Sequence, residues 1–415
     1  MSFHALGLEP RILEGVSVMG YTDPTPIQTQ AIPLILGGRD VVGVAQTGTG
    51  KTAAFVLPML QRTPTRKGVR ALIVTPTREL ALQISEVIRD ASKRTGHRYA
   101  VVYGGVGIYP QIQKLRRGVD IVVACPGRLL DLHSRGAVDL SGVETLVLDE
   151  ADRMLDMGFW PDVRRILGLL PERRQNLLFS ATMSPGVLKV VESTLHQPER
   201  IEVSPPSTPV ERIGQTLYPV CRTQKTDLLV ELLKRSDHTR TLVFTRTKHR
   251  ADRLSRQLER QGVPSAAIHG GRSQAQRQRA LDAFKAGRSP VLVATDVVAR
   301  GIDVDEISHV VNYDMPNTAE DYVHRIGRTA RAGASGSAIS FLSAEEVEVL
   351  RDIEKTLGST IACEDLEGFR YAARHMPDPE RTVARAGATA AAGNRSGSGR
   401  RSGRRGGSGR AGRRS

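Results

Sequence analysis

Cysteine, lysine and aromatic residues are scarce in this chain, and no long apolar run occurs. The 415 residues include three cysteines, Cys125, Cys221 and Cys363, far apart in sequence. Such spacing forms neither a metal-ligand pattern nor a disulfide framework, so no disulfide partner is expected and the thiols fit a reducing cytoplasm. Aromatic residues make up 4% of the chain, which argues against an extensive platform for stacking bases. No segment approaches the ~20 apolar residues of a membrane span, and the opening MSFHALGLEP lacks the basic start and apolar stretch of a secretory signal. A soluble, cytoplasmic protein with no membrane partner is the expectation. Lysine supplies 10 of the 59 basic residues. A GC-rich genome produces that skew by itself, so arginine richness alone identifies no partner. Acid is missing from one end: residues 381–415 hold ten arginines and neither Asp nor Glu. Two thirds of the net charge of +15 therefore lies there, leaving +5 on the first 380 residues. That asymmetry points to a polyanionic partner.

What the chain does have is a repeated pattern of apolar runs. VVGVA (41–45), ALIVTP (71–76), DIVVACP (120–126), ETLVLDE (144–150) and NLLFSAT (176–182) lack polar alternation and are rich in branched residues. Parallel strands covered on both faces read this way. Helical periodicity fills the gaps, as in RELALQISEVIRDASKR, so strand and helix alternate in a doubly wound α/β domain. Three prolines in SPPSTPVER (204–212) interrupt the pattern. It restarts with TLVFTR (241–246), SAAIHG (265–270), PVLVATD (290–296), HVVNYD (309–314) and SAISFLS (337–343). The expectation is α/β architecture in two tandem parallel-sheet domains, 1–205 and 214–370, joined by a linker at 206–213. Residues 371–415, a Pro, Ala, Gly, Ser and Arg segment with little to bury, are expected to be a disordered basic tail.

AQTGTGKT follows a strand and opens a helix, the setting a phosphate-binding loop requires. Its residues are Ala45, Gln46, Thr47, Gly48, Thr49, Gly50, Lys51 and Thr52. Gly48 and Gly50 let backbone N–H groups approach phosphate oxygens, and the helix N-terminus favours the anion. Lys51 would pair with the β- and γ-phosphates of a nucleotide, and the Thr52 hydroxyl would ligate Mg2+. Asp149-Glu150-Ala151-Asp152 follows the apolar run TLVL, which places the acids at the mouth of a parallel sheet. Asp149 can hold magnesium through water, and Glu150 can orient and deprotonate an attacking water. Taken alone, the acids could merely complement a helix start.

With these motifs the chain resembles the DEAD-box ATP-dependent RNA helicase family over residues 3 to about 370. GYTDPTPIQ (20–28) is similar to the Q motif, with Phe3 where the family has an aromatic residue. PTREL (76–80), Gly104-Gly105 and PGR (126–128) resemble the first domain's RNA-contacting motifs, and SAT (180–182) resembles the coupling motif. VFTRTK (243–248), QAQR (274–277), ATDVVARGID (294–303) and HRIGRTAR (324–331) follow in the family's order. The resemblance implies two RecA-like domains, ATP and Mg2+ as cofactors, and RNA as partner. It implies that Gln28 reads adenine, with Phe3 beside it, and that Asp303 contacts the ribose. Arg328 and Arg331 would be arginine fingers. Pro76, Thr77, Arg78, Gly105, Gly127, Arg128, Arg277 and Thr295 would contact RNA, while Asp152, Ser180, Thr182 and His324 couple hydrolysis to RNA. The helix 129–136 would act as a wedge.

The opening decapeptide and MLDMGFWPD (154–162) further resemble the bacterial RhlE-like branch. Two positions depart from the family pattern: Cys125 replaces a threonine, removing a hydroxyl worth ~1 kcal/mol, and Ala330 replaces a glycine. The competing readings are a non-catalytic RNA-binding scaffold and a DNA-directed helicase. Intact Lys51, Glu150, Arg328 and Arg331 argue against the scaffold, while Gln28 and the Asp-Glu-Ala-Asp tetrapeptide favour RNA. Ribosomal or RNA-degradation complexes are candidate partners.

Overall fold

The computed structural model describes residues 2–372 apart from 47, 204–212, 236–237, 300–303, 305–306 and 331–335, together with the segment 383–386. The first sheet contains β1 (Val41–Val44), β2 (Ala71–Val74), β3 (Tyr99–Val102), β4 (Ile121–Ala124), β5 (Thr145–Asp149), β6 (Gln175–Ser180) and β7 (Glu199–Glu202). Their order across the sheet is β3-β4-β2-β5-β6-β1-β7, with every pairing parallel. Alternate residues of each strand enter opposite cores. Val41 and Ile73 pack on one face with Phe55 and Ile84, while Val42, Leu72 and Val74 pack on the other with Leu129 and Met154. Burial on both faces is why these runs show no polar alternation.

The second sheet contains β8 (Ile213–Pro219), β9 (Thr241–Phe244), β10 (Ser265–Ile268), β11 (Val291–Ala294), β12 (His309–Asn312), β13 (Gly336–Leu342), β14 (Ala362–Leu366) and β15 (Val383–Ala386). Their order is β10-β11-β9-β12-β13-β8-β14-β15. In this order β8 stands where β1 does in the first sheet, β9 where β2 does and β12 where β5 does. The two sheets are therefore one topology used twice.

All ten expected runs form strands. Five further strands carry weaker signals. The edge strand β3 alternates half-buried and buried residues, and β7 is the charged tetrapeptide ERIE at the opposite edge. The parallel pairing of Cys363–Leu366 with Val383–Ala386 corrects the expectation that everything after residue 370 is unstructured. β15 is the tetrapeptide VARA, whose single branched residue leaves no apolar run to read. The other residues of that tail from 373 onward lie outside the described residues, as does the expected linker apart from Ile213, which opens β8. Among the described residues no helix is long and apolar enough to cross a membrane.

Candidate active site and nucleic-acid face

The loop after β1 turns through two glycines in the left-handed region, Gly48 at φ 85° and Gly50 at φ 91°. A side chain on Gly50 would also collide, because its Cβ would lie 2.5 Å from the Gln28 amide nitrogen. The helix Lys51–Arg62 starts at once, with Lys51 buried and its Nζ donating to the Ala45 carbonyl at 2.7 Å. Thr49 Oγ1 donates to the Gln46 carbonyl at 2.7 Å, tightening the loop. Gln28 Nε2 donates to the Gly50 carbonyl at 3.1 Å, and its Oε1 accepts from the Thr25 N–H at 2.9 Å. Gln28 thus ties the start of its own helix to the loop while facing the same cavity.

That cavity, about 810 Å³, is lined by Tyr21, Gln28, Gly48, Gly50, Lys51, Thr52, Asp149 and Glu150 from the first domain and by Lys285 and Arg328 from the second. Phe3 does not line it. Its ring is buried in the first domain's core with Leu6 and Leu8, while Tyr21 is the aromatic residue at the cavity wall. An aromatic three positions before Pro24 was the signal that could have found Tyr21. Thr47, Asp303 and Arg331 lie outside the described residues.

Asp149 ends β5 and is buried. Burial pushes its carboxyl up to about 7, against the attraction of Lys51. Its Oδ1 accepts from the Glu150 N–H at 3.0 Å. Glu150 adopts φ 54°, a left-handed conformation that non-glycine residues hold only when surroundings enforce it. The Arg153 guanidinium donates to its carboxylate. Asp152 faces the other way: its Oδ2 accepts from the Ala181 and Thr182 N–H groups at 3.1 and 3.0 Å and from Thr182 Oγ1 at 3.2 Å. Ser180 Oγ accepts from the Asp152 N–H at 3.3 Å. The ends of β5 and β6 are therefore locked together close to Glu150.

Arg328 is buried, with Nε donating to the His324 carbonyl at 3.2 Å. Its neighbour Arg325 has a structural role. It grips Asp296 at 2.6 and 2.8 Å, donates to Asn312 Oδ1 and the Asp314 carbonyl, and lies over the Phe244 ring. Sequence reasoning missed this anchor, because nothing in a basic run shows which arginine points inward. Ala330 sits at φ 55°, so the glycine common there relieves a left-handed turn.

A second, smaller cavity of about 350 Å³ gathers Pro76, Arg78, Gly104, Cys125, Gly127 and Arg128. Gly105, at φ 76°, leaves room for the Arg78 guanidinium, with which a Cβ there would collide. Arg128 Nη2 donates to the Val106 carbonyl at 3.1 Å. Cys125 precedes the helix Pro126–Ser134 and makes no side-chain cap bond, and burial pushes its thiol up to about 12. Thr77 accepts from the Leu80 N–H at 3.3 Å, capping the helix Arg78–Ala91. Arg277 reaches across from the second domain to Glu79, with 2.5 Å between charges and both side chains buried. Neither Glu79 oxygen accepts an aligned hydrogen bond, so the pair is held by charge more than by geometry. Thr295 lies just past β11, half-buried.

A phosphate-loop cavity lined also by an arginine from a second domain of the same topology has the layout of a two-domain nucleotide-binding core. The DEAD/DEAH box helicase family model matches residues 25–190, and the helicase conserved C-terminal domain matches 224–333. The chain is 47% identical to the ATP-dependent RNA helicase CshA of Listeria monocytogenes over 85% of its own length and 68% of the relative's. It is 46% identical to the ATP-dependent RNA helicase DeaD of Escherichia coli, over 87% and 58%. Among solved structures, S. cerevisiae Dbp5 bound to RNA and ADP BeF3 superposes with a TM-score of 0.77 at 34% identity, covering 87% of this chain and 95% of that one. Mss116 bound to single-stranded RNA and UDP-BeF gives 0.78 at 29% identity, covering 88% and 80%. The chain belongs to the DEAD/DEAH box helicase family. It spans roughly three fifths to two thirds of the length of these curated relatives.

Proposed function

We propose that the chain hydrolyses ATP to ADP and phosphate while clamping single-stranded RNA across its two domains, opening short duplexes or displacing bound protein. The observation that carries this reading is Arg328. It reaches from the second domain into the cavity that holds Lys51, Asp149 and Glu150 of the first. Phosphoryl transfer needs positive charge on the open side of the γ-phosphate, and here that charge arrives with domain closure.

The roles follow from position. Gly48, Gly50 and Lys51 hold the phosphates, Gln28 faces the base end, and Glu150 takes the proton of the attacking water. Arg328 stabilises transition-state charge, joined by Arg331, and Asp303 holds the ribose. Thr52 and Asp149 fit a magnesium ion, because a buried carboxyl raised to about 7 ionises when a cation compensates its charge. The ion would neutralise phosphate charge in the bound nucleotide. Thr182 and Ser180 transmit the state of the cavity through Asp152, with His324 as the coupling residue of the second domain.

RNA lies along Pro76, Thr77, Arg78, Gly105, Gly127 and Arg128, with Arg277 and Thr295 opposite. Backbone contacts of this kind position a strand without reading its sequence. RNA that spans both domains favours closure, so RNA and ATP tighten each other's binding by the same factor. The Arg78 and Arg128 guanidiniums beside Gly105 favour this reading over a DNA-directed helicase only together with the RNA-bound structural relatives. The discriminating measurement is whether RNA or DNA stimulates ATPase activity. The RhlE-like branch assignment rests on the segments 1–10 and 154–162.

Arg328→Ala tests the proposal. ATP affinity without RNA stays within a few-fold of wild type, while RNA-stimulated turnover falls by ~10³ or more, the usual contribution of an arginine finger. Full RNA-stimulated turnover in this variant would refute the two-domain active site.

A further inference from the structure

Because the two sheets share one topology, the second has its own counterpart of the nucleotide cavity. The first domain's cavity lies beyond the carboxyl ends of β1 and β5, against the helix Arg78–Ala91. Beyond the equivalent ends of β8 and β12, against the helix Lys248–Arg260, lies a cavity of about 660 Å³. This is the place where open parallel sheets bind ligands, and the volume suits a small molecule.

The correspondence extends to single residues. Lys225 is the first residue of the helix that follows β8, as Lys51 is of the helix that follows β1. Asp314 lies two residues past β12, near the level at which Asp149 ends β5. Two differences decide what the second cavity can take. The connection Val220–Gln224 contains no glycine, so no backbone cradle surrounds a phosphate. In addition, an internal carboxylate occupies Lys225. Glu346 accepts from Lys225 Nζ at 2.7 Å, from the Ser343 hydroxyl and N–H at 2.6 and 3.0 Å, and through its other oxygen from the Met315 N–H at 3.0 Å. A carboxylate thus fills the position that a phosphate oxygen would take against Lys51.

The floor is therefore neutral, and the walls are not. Four arginines line the cavity, Arg222, Arg246, Arg250 and Arg253, against the carboxylates Asp314 and Glu345, an excess of two positive charges. Arg250 is fixed, 2.8 Å from Asp314 and over the Tyr313 ring. Arg222 and Arg246 are exposed and hold their carboxylates at 3.8 and 3.7 Å, long enough for an incoming anion to recruit them. Arg253, also exposed, carries its charge at the rim. Tyr313, the aromatic residue among those that line the cavity, is already covered by cations, so its ring is not free to stack on a base.

We propose that this cavity is a second ligand site, taking an oligophosphate group with the arginines as its ligands and without magnesium. The chemistry is that of a di- or triphosphate, whether free or carried as the tail of a nucleotide whose base stays in solvent.

The test uses the full chain bearing Lys51→Ala, which disables the first domain's phosphate loop. Calorimetric titration with inorganic tripolyphosphate, magnesium absent, is expected to show one saturable site above the diffuse uptake by the arginine-rich C-terminal segment. Adding Arg222→Glu and Arg253→Glu removes that site, with affinity falling about tenfold for each charge-assisted hydrogen bond removed. Both side chains are exposed, so the double variant folds. In the wild-type background its RNA-stimulated ATPase activity stays unchanged. Competition by ADP supports the proposal with a nucleotide tail as the source, and failure of ADP to compete supports it with free oligophosphate. Equal tripolyphosphate uptake by parent and charge-reversed chains would overturn it. So would stoichiometric displacement by single-stranded RNA, which would make the face part of the RNA path.

Discussion

Lys51 and Lys225 open equivalent helices at equivalent sheet ends, yet they face different partners. Lys51 donates to a backbone carbonyl, that of Ala45, at 2.7 Å. Lys225 is paired with the buried carboxylate of Glu346 at the same distance. A neutral carbonyl is a weak partner for an ammonium, so an arriving phosphate displaces it. A carboxylate held by three further N–H and O–H donors is not displaced. The two domains thus show one scaffold tuned to opposite ends, with a lysine held ready in the first and a lysine consumed by the fold in the second.

The strongest perturbation breaks the first side of that comparison. Glu150→Gln removes the proton acceptor and keeps the phosphate-binding groups, so turnover falls by ~10²–10⁴. RNA binding in the presence of ATP tightens, because the closed complex no longer discharges. Wild-type ATPase activity in this variant would reassign the base.

Breaking the other side has a different signature. Lys225→Met leaves the buried Glu346 with only the exposed Arg246, 3.7 Å away, as a cation, and removing one partner of a buried pair costs ~3–5 kcal/mol. The second domain is expected to unfold at much lower denaturant while ATP affinity of the first domain is unchanged. Unaltered stability would show that Glu346 is solvated and that the floor of the second cavity is open to ligands.

The arginine-rich end sharpens the comparison at the level of charge. Deletion of 387–415 keeps β15 and removes eight arginines. Apparent KM for RNA at moderate salt rises, and the salt dependence flattens by ~0.7 for each phosphate that the segment no longer neutralises. The rate at saturating RNA does not change. Identical salt slopes for both chains would leave the segment without a role in RNA binding.

A still smaller change is expected at Ala330. Its left-handed backbone costs ~1–2 kcal/mol, from which the greater freedom of an unfolded glycine subtracts about half. Ala330→Gly is therefore expected to stabilise the second domain by somewhat under 1 kcal/mol, read as a small rise in its thermal midpoint. A fall would mean that the methyl makes a favourable contact.

The α/β class, ten of the fifteen described strands and the order of the motifs were legible in the residues alone. Strands buried on both faces must be uniformly apolar, and a phosphate loop must carry glycines where φ is positive. Edge strands such as β3 and β7 escaped because one side of each meets solvent or a helix, and their residues follow that mixed surface. Which polar residues act together was settled by folding in three dimensions. Phe3 entered the core while Tyr21 took the cavity wall. Arg325 became an anchor and Arg328 a cavity residue three positions later, because the helix Ala319–Ile326 ends between them and Asp296 holds Arg325 inward. The meeting of Glu79 with Arg277, 198 residues apart, and of Lys225 with Glu346, 121 apart, depends on how sheets and domains are placed. Periodicity along a chain carries no information about contacts at that range.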